Sequence, residues 1–397
     1  MFPFTHNPAT LSLIINELGE DRENYFNAVA PPIIQTSNFA FKKVDELRAA
    51  FQDEMSTYLY SRGINPTVDI LRKKLAALDE AEDALVFNNG AAAVFAGVLA
   101  NVKAGDHIVS VQKPYTWAFK MFENILPRFG VTTSYIPGLT IEEWKAATRP
   151  NTTFFYLESP NSWNFTLQPL EEIAQFARER GIVTLIDNSH CSPLFQKPIS
   201  LGIDLAMQTA TKYISGHSDT LGGVLTGTKA MMKKIFDSEY NTAGAGMQPF
   251  NAFLMLRGLR TIVSRFERIT TSTLTVLDSL KQHPAISELI FPFDASFPQF
   301  ELAKKQMTGA CGLITIILKA KTRAQIVTFC ESLRHILMAV SWGGHESLAI
   351  PKCAGLFDHE FDPGNREHQM VRIYVGLEDP HYLIQDLEQA FAKANLG

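Results

Sequence analysis

Cysteine is scarce in this chain. Only four occur in 397 residues, Cys191, Cys311, Cys330 and Cys353, and no two stand in a C-x-x-C pair. That spacing excludes a disulfide framework and a thiolate zinc site, and no metal is expected; it fits reduced, buried thiols in a cytoplasmic protein. Basic clusters are also missing. Net charge is −5 and no Lys/Arg run resembles a phosphate-binding stripe, which excludes nucleic acid as a partner. No apolar run reaches the length of a membrane span, so no membrane association is expected. The opening MFPFTHNPATLSLIINELGEDREN lacks the basic start and long apolar stretch of a signal peptide. There is no internal repeat and no low-complexity tract. The remainder is ordinary: 46% apolar and 19% charged residues, enough for two or three packed domains.

The first ~60 residues, rich in Pro, Asn and Phe, read as an irregular arm rather than a core. From Asn65 the pattern sharpens. Pro66 suits a first helical turn, and Ile70, Leu71, Leu75 and Leu78 mark one helix face. The apolar runs 84–87, 107–111, 131–136, 152–158, 182–188 and 204–210 read as strands. Helical stretches separate most of them, such as PLEEIAQFARERG with its terminal glycine stop. Strands alternating with helices predict a doubly wound α/β fold with a mainly parallel sheet. After residue 240 a long helical stretch follows, with a bend expected near Gly258. Strands at 312–319, 338–344 and 371–377 then predict a smaller α/β domain. The expected division is an arm (1–62), a large domain (63–255) and a small domain (256–397).

Three features carry candidate chemistry. In Asn88-Asn-Gly-Ala-Ala-Ala93 a strand ends, a glycine turns the chain and a helix of small residues begins. Free N–H groups and the helix dipole there favour a phosphate, although a tight turn is the plain alternative. Asp187 ends a buried strand, where α/β sheets bind ligands; a protonated ring nitrogen or a helix cap would satisfy it. Lys212 follows the next strand end, flanked by Thr209 and Thr211, and is a candidate Schiff-base nucleophile. A phosphate anchor, an acid for a pyridine nitrogen and a lysine for an aldehyde are the parts that pyridoxal phosphate needs.

The stretch Ala210-Thr-Lys-Tyr-Ile-Ser-Gly-His-Ser-Asp219 resembles the cofactor-lysine motif of the Cys/Met-metabolism family of pyridoxal-phosphate enzymes. Further motifs match in order: Tyr60-Ser-Arg62 with Asn65-Pro-Thr67, Glu158-Ser-Pro160, Asp187-Asn188, Leu256-Arg-Gly-Leu-Arg-Thr261, Ser341-Trp-Gly-Gly344 with Glu346-Ser-Leu348, and Arg372 through Val375-Gly-Leu-Glu378. The resemblance implies the type I (aspartate-aminotransferase-like) fold, with a seven-stranded-type sheet domain and a smaller C-terminal domain. It implies that Lys212 holds pyridoxal phosphate and later moves protons. Asp187 would pair with the ring nitrogen, and Tyr115 would stack on the ring. Gly90, Ala91, Thr209 and Thr211 would hold the phosphate, with Tyr60 and Arg62 reaching a neighbouring subunit's phosphate. Arg372 would clamp the α-carboxylate of a sulfur amino acid substrate near Ser341, with Trp342 and Asn161 lining the pocket. The implied assembly is a homotetramer of two active dimers. Departures from the family pattern are the Lys113-Pro-Tyr-Thr-Trp117 loop, which lacks the usual glycine after tyrosine, and His190 in place of an aromatic.

The resemblance leaves two reaction types. Trp342, Gly90-Ala-Ala-Ala93, Met247 and Thr308-Gly309 are similar to cystathionine β-lyases, whereas Asn65-Pro-Thr67 and Asn161 are similar to γ-synthases and γ-lyases. The expectation is a β-lyase that splits L-cystathionine or cysteine S-conjugates into a thiol, pyruvate and ammonia. The alternative is a γ-type enzyme: cystathionine γ-synthase, O-acylhomoserine sulfhydrylase, or cystathionine or methionine γ-lyase. The missing cysteine near Tyr115 counts against methionine γ-lyase. A protein that binds the cofactor without turnover is a third, minor reading.

Overall fold

Seven strands build the main sheet of this computed structural model, which describes residues 2–396. They are β1 (Asp83–Phe87), β2 (His107–Val111), β3 (Thr132–Ile136), β4 (Thr152–Glu158), β5 (Val183–Asp187), β6 (Leu205–Gln208) and β7 (Gly223–Gly227). Their order is β1-β7-β6-β5-β4-β2-β3. Only β7 runs against its neighbours, so the sheet is mainly parallel as the alternation predicts. Successive β4 side chains feed opposite layers. Phe154 and Tyr156 pack with the layer that holds helix Gly90–Leu99, and Phe155 and Leu157 with the one that holds helix Leu170–Arg180. The second sheet has the order β10-β11-β12-β9-β8. Its strands are β8 (Ile286–Ile290), β9 (Leu313–Leu318), β10 (Leu337–Met338), β11 (Leu348–Pro351) and β12 (Met370–Tyr374).

Local chemistry sets the helix ends. Asn65 caps helix Pro66–Leu78 by accepting from the Thr67 N–H at 3.0 Å, and Ile70, Leu71, Leu75 and Leu78 face inward as expected. Gly181, at φ +67°, stops helix Leu170–Arg180.

Three expectations need correction. The run 338–344 is not a strand beyond Met338. Ser341 and Gly343 both have φ +88°, so the chain leaves the sheet as a loop, and a Cβ on Gly343 would lie 2.7 Å from the Lys212 carbonyl carbon. The long helix breaks at Thr261, not at Gly258. Gly258 is small because a Cβ there would meet the Ser215 carbonyl oxygen at 2.2 Å. The start of the chain is also not loose. Helix Pro8–Asn16 buries Leu11, Ile14 and Ile15 in the core. Its last carbonyls accept from Lys74 (Ile14 and Ile15, 2.9 Å each) and Arg260 (Asn16, 3.1 Å), cations that also hold Glu20. Strands β7, β8 and β11 are additions that the apolar runs do not reveal.

Candidate active site

The carboxyl ends of β1, β4, β5 and β6 open on the same side of the sheet, the usual ligand crevice of an α/β fold. At the end of β1, Asn89 caps helix Gly90–Leu99 by accepting from the Ala92 N–H at 2.8 Å. That leaves the first N–H groups of the helix free for an anion. Gly90 is required here, because a Cβ would sit 2.3 Å from the Thr209 hydroxyl. The helix start and the segment after β6 therefore meet, which brings Gly90, Ala91 and Thr209 into one cradle. Thr211 braces it, with its hydroxyl accepting from the Gly222 N–H at 3.0 Å. Ser189 accepts from the Thr209 N–H at 2.7 Å.

Asp187 and Glu158 end adjacent strands and stand in register. Asp187 is buried and accepts from the Ser189 N–H at 2.9 Å. Burial pushes its carboxyl up, and the Ser189 contacts and the Lys212 charge oppose that. A cationic ring nitrogen beside it would relieve the same cost. Glu158, also pushed up by burial and by Asp187, accepts from two backbone N–H groups, Tyr115 at 2.6 Å and Ser162 at 2.9 Å. It thus fixes both loops that flank the crevice. Tyr115 is 40% exposed, and the partial desolvation of its phenol and then Asp187 push its pKa up. The Asn161 amide donates to the Lys113 carbonyl at 3.2 Å and joins the same two loops.

The Lys212 amine donates to Ser341 Oγ at 2.6 Å and lies 4.5 Å from the Trp342 ring centre. Burial, and then the Arg372 charge, lower its pKa to about 8 against the pull of Asp187. Neutral amine, the form that attacks an aldehyde, therefore dominates only above pH 8. Pyridoxal phosphate uptake by cofactor-free protein is expected to accelerate about tenfold per unit up to pH 8 and then to level off, as followed by absorbance. Arg372, on β12, crosses from the small sheet. Its Nη1 donates to the Ser162 carbonyl at 2.8 Å, and its Cζ lies 4.9 Å from the Trp342 ring centre. Burial lowers its pKa to about 10, still high enough to keep it charged. Lys212, Ser341, Trp342 and Arg372 thus form one cluster, as the motifs predict.

Tyr60 and Arg62 do not join that cluster. Both side chains are exposed, and Arg62 stacks on Tyr60 of its own chain at 5.5 Å. Sequence reasoning missed the roles of Glu158 and Ser162. Glu158 carries the same signal as Asp187, an acid ending a buried parallel strand. Ser162 acts through its carbonyl, for which no residue type gives a signal. His190 packs on Phe165 at 5.0 Å, and burial lowers its pKa to about 3, so it is neutral.

The donor set fits pyridoxal phosphate: an anion cradle, a buried acid with no cation within 4 Å among the described residues and a partly neutral lysine converge. Comparison with known proteins agrees. The model of the family "Cys/Met metabolism PLP-dependent enzyme" matches residues 12–392. The L-methionine gamma-lyase of Treponema denticola is 34% identical over 94% of both chains. The enzyme of that name from Porphyromonas gingivalis is 34% identical over 92% of this chain and 93% of its own. The cystathionine gamma-synthase of Mycobacterium bovis is 33% identical over 91% and 92%. These relatives carry γ-type names, which shifts the balance away from the β-lyase expectation. With a cradle, acid and lysine in place and the family pattern spanning nearly its whole length, the chain belongs to the Cys/Met-metabolism family of enzymes and depends on pyridoxal phosphate.

Proposed function

We propose that the enzyme is a γ-type trans-sulfuration enzyme that breaks or exchanges the bond at Cγ of a sulfur amino acid or an O-acylhomoserine. The observation that carries this reading is the end-to-end likeness to proteins named as γ-lyases and γ-synthases. Asp187 would pair with the ring nitrogen of pyridoxal phosphate, and Gly90, Ala91, Thr209 and Thr211 would hold its phosphate. Bound pyridoxal phosphate supplies an electron sink that makes the substrate's α-proton acidic. Arg372 holds the α-carboxylate. Lys212, held by Ser341, would take the proton at Cα and serve again at Cβ, the second removal that γ-chemistry requires. Tyr115 walls the crevice, with its backbone fixed by Glu158.

One observation favours a second reading. Trp342 touches both Lys212 and Arg372, so a bulky indole bounds the space around Cα and supports β-elimination. The products separate the two. Holoenzyme given L-methionine and, separately, L-cystathionine is expected to yield 2-oxobutyrate. Pyruvate plus homocysteine from cystathionine would overturn the γ reading in favour of the β one.

The exposed Tyr60–Arg62 pair and the exposed apolar Phe26, Val29 and Trp117 support a homodimer in which each arm completes the other site, with two dimers forming a tetramer. A monomeric mass in solution would contradict this. No described helix is long and apolar enough to cross a membrane, and all four cysteines are buried and unpaired, which supports a cytoplasmic setting. Fractionation of the source cells tests that setting.

A further inference from the structure

Arg372 presents a physical problem. It is only 7% exposed, yet no carboxylate lies within 4 Å of it among the described residues. A buried cation without a counter-ion is costly unless other groups replace its hydration. One carbonyl, from Ser162, does part of this. Two indoles do the rest. The guanidinium carbon lies 4.9 Å from the Trp342 ring centre and 5.1 Å from that of Trp163. Aromatic faces attract a cation most strongly where water is excluded.

We propose that Trp163 is a positioning residue for the substrate α-carboxylate: it holds the Arg372 guanidinium in place with its indole. The inference rests on the reading of Arg372 as the carboxylate clamp. The loop that carries Trp163 is built for the task. Ser162, one residue earlier, accepts from Arg372. The Trp163 carbonyl accepts from Thr315 Oγ1 at 2.8 Å, and Thr315 lies directly across from Arg372 in the β9–β12 register. Glu158 holds the Ser162 N–H from below. One loop from the large sheet therefore grips one point of the small sheet at three places. Lys352 Nζ also lies over the Trp163 ring, at 5.2 Å, and Glu367 at 2.9 Å offsets its charge. A pinned guanidinium loses less freedom when a carboxylate docks, so Trp163 acts on affinity more than on the chemical step.

The test compares two ligands of holoenzyme that differ only in the carboxylate: L-norleucine and n-pentylamine, with binding read from the cofactor absorbance. Trp163→Leu is expected to weaken L-norleucine about tenfold and leave n-pentylamine within about twofold. Trp163→Phe keeps an aromatic face and should stay within about threefold of wild type for both. With substrate, KM rises in Trp163→Leu while kcat changes by less than about threefold. Equal losses for the two ligands, or Trp163→Phe behaving like Trp163→Leu, would mean that Trp163 only fills space, and would overturn the inference. Arg372→Lys separates the two levels. If it weakens L-norleucine selectively while Trp163→Leu does not, only the role of Trp163 falls. If Arg372→Lys leaves L-norleucine untouched, the carboxylate clamp itself is wrong and the inference falls with it.

Discussion

Lys212→Ala is expected to lower turnover by about 10⁴-fold or more, because one amine carries two duties. On the proposed reading it binds the cofactor aldehyde and moves the substrate proton. Its surroundings fit both. Burial and the nearby Arg372 bring its pKa to about 8, so a usable fraction is neutral near physiological pH. Ser341 holds its Nζ at 2.6 Å, and Trp342 bounds it on another side. Lys113, just past the end of β2, is instead paired with Glu367. The loss should appear in kcat rather than KM, since Arg372 and the phosphate cradle remain. The folded protein should persist, because alanine removes a partly buried cation and leaves no buried acid newly unpaired within 4 Å. Turnover within about tenfold of wild type would show that another group performs both duties.

The second large effect falls on stability, far from the chemistry. Glu20 has no exposed side-chain surface, and three cations converge on it: Lys74 at 3.1 Å, Arg260 at 2.6 Å and Arg22 at 3.0 Å. Those cations also hold the last carbonyls of helix Pro8–Asn16. Lys74 is buried too, so removing Glu20 leaves its charge with two helix carbonyls and no counter-ion within 4 Å among the described residues. Glu20→Ala is expected to cost about 3–5 kcal/mol, seen as a lower denaturation midpoint and as earlier release of the first helix to protease. Glu20→Leu combined with Lys74→Met removes both buried charges and should recover part of the loss. A single variant with an unchanged midpoint would show that the cluster contributes nothing net.

How far the sequence speaks depends on the kind of signal. The parallel strands β2 and β4 were legible because their runs are buried almost throughout, and both have the bounds that the runs suggest. Helix Pro66–Leu78 was legible from its Asn-Pro start and its periodic face. Strands β8 and β11 were not. β8 carries exposed Ser287 and Glu288 between buried ends, and β11 is held in place by β12 rather than by its own pattern. Within the candidate site, the side-chain cluster was legible. Lys212, Ser341, Trp342 and Arg372 come together as their motifs suggest. The site was illegible where the backbone acts, as in the Ser162 carbonyl on Arg372 and the Tyr115 N–H on Glu158. Trp163 falls between these cases. Its indole matters only because the fold carries β12 to within 5.1 Å of it, and no local spacing encodes that distance.

The most direct test of the central claim maps the lysine that binds the cofactor. Holoenzyme is reduced with borohydride, which fixes the pyridoxyl group to the amine that held it, and the digest is read by mass spectrometry. The account predicts one modified peptide, with the added mass on Lys212 between Thr211 and Tyr213. A pyridoxyl group on any other lysine, with Lys212 unmodified, would contradict it.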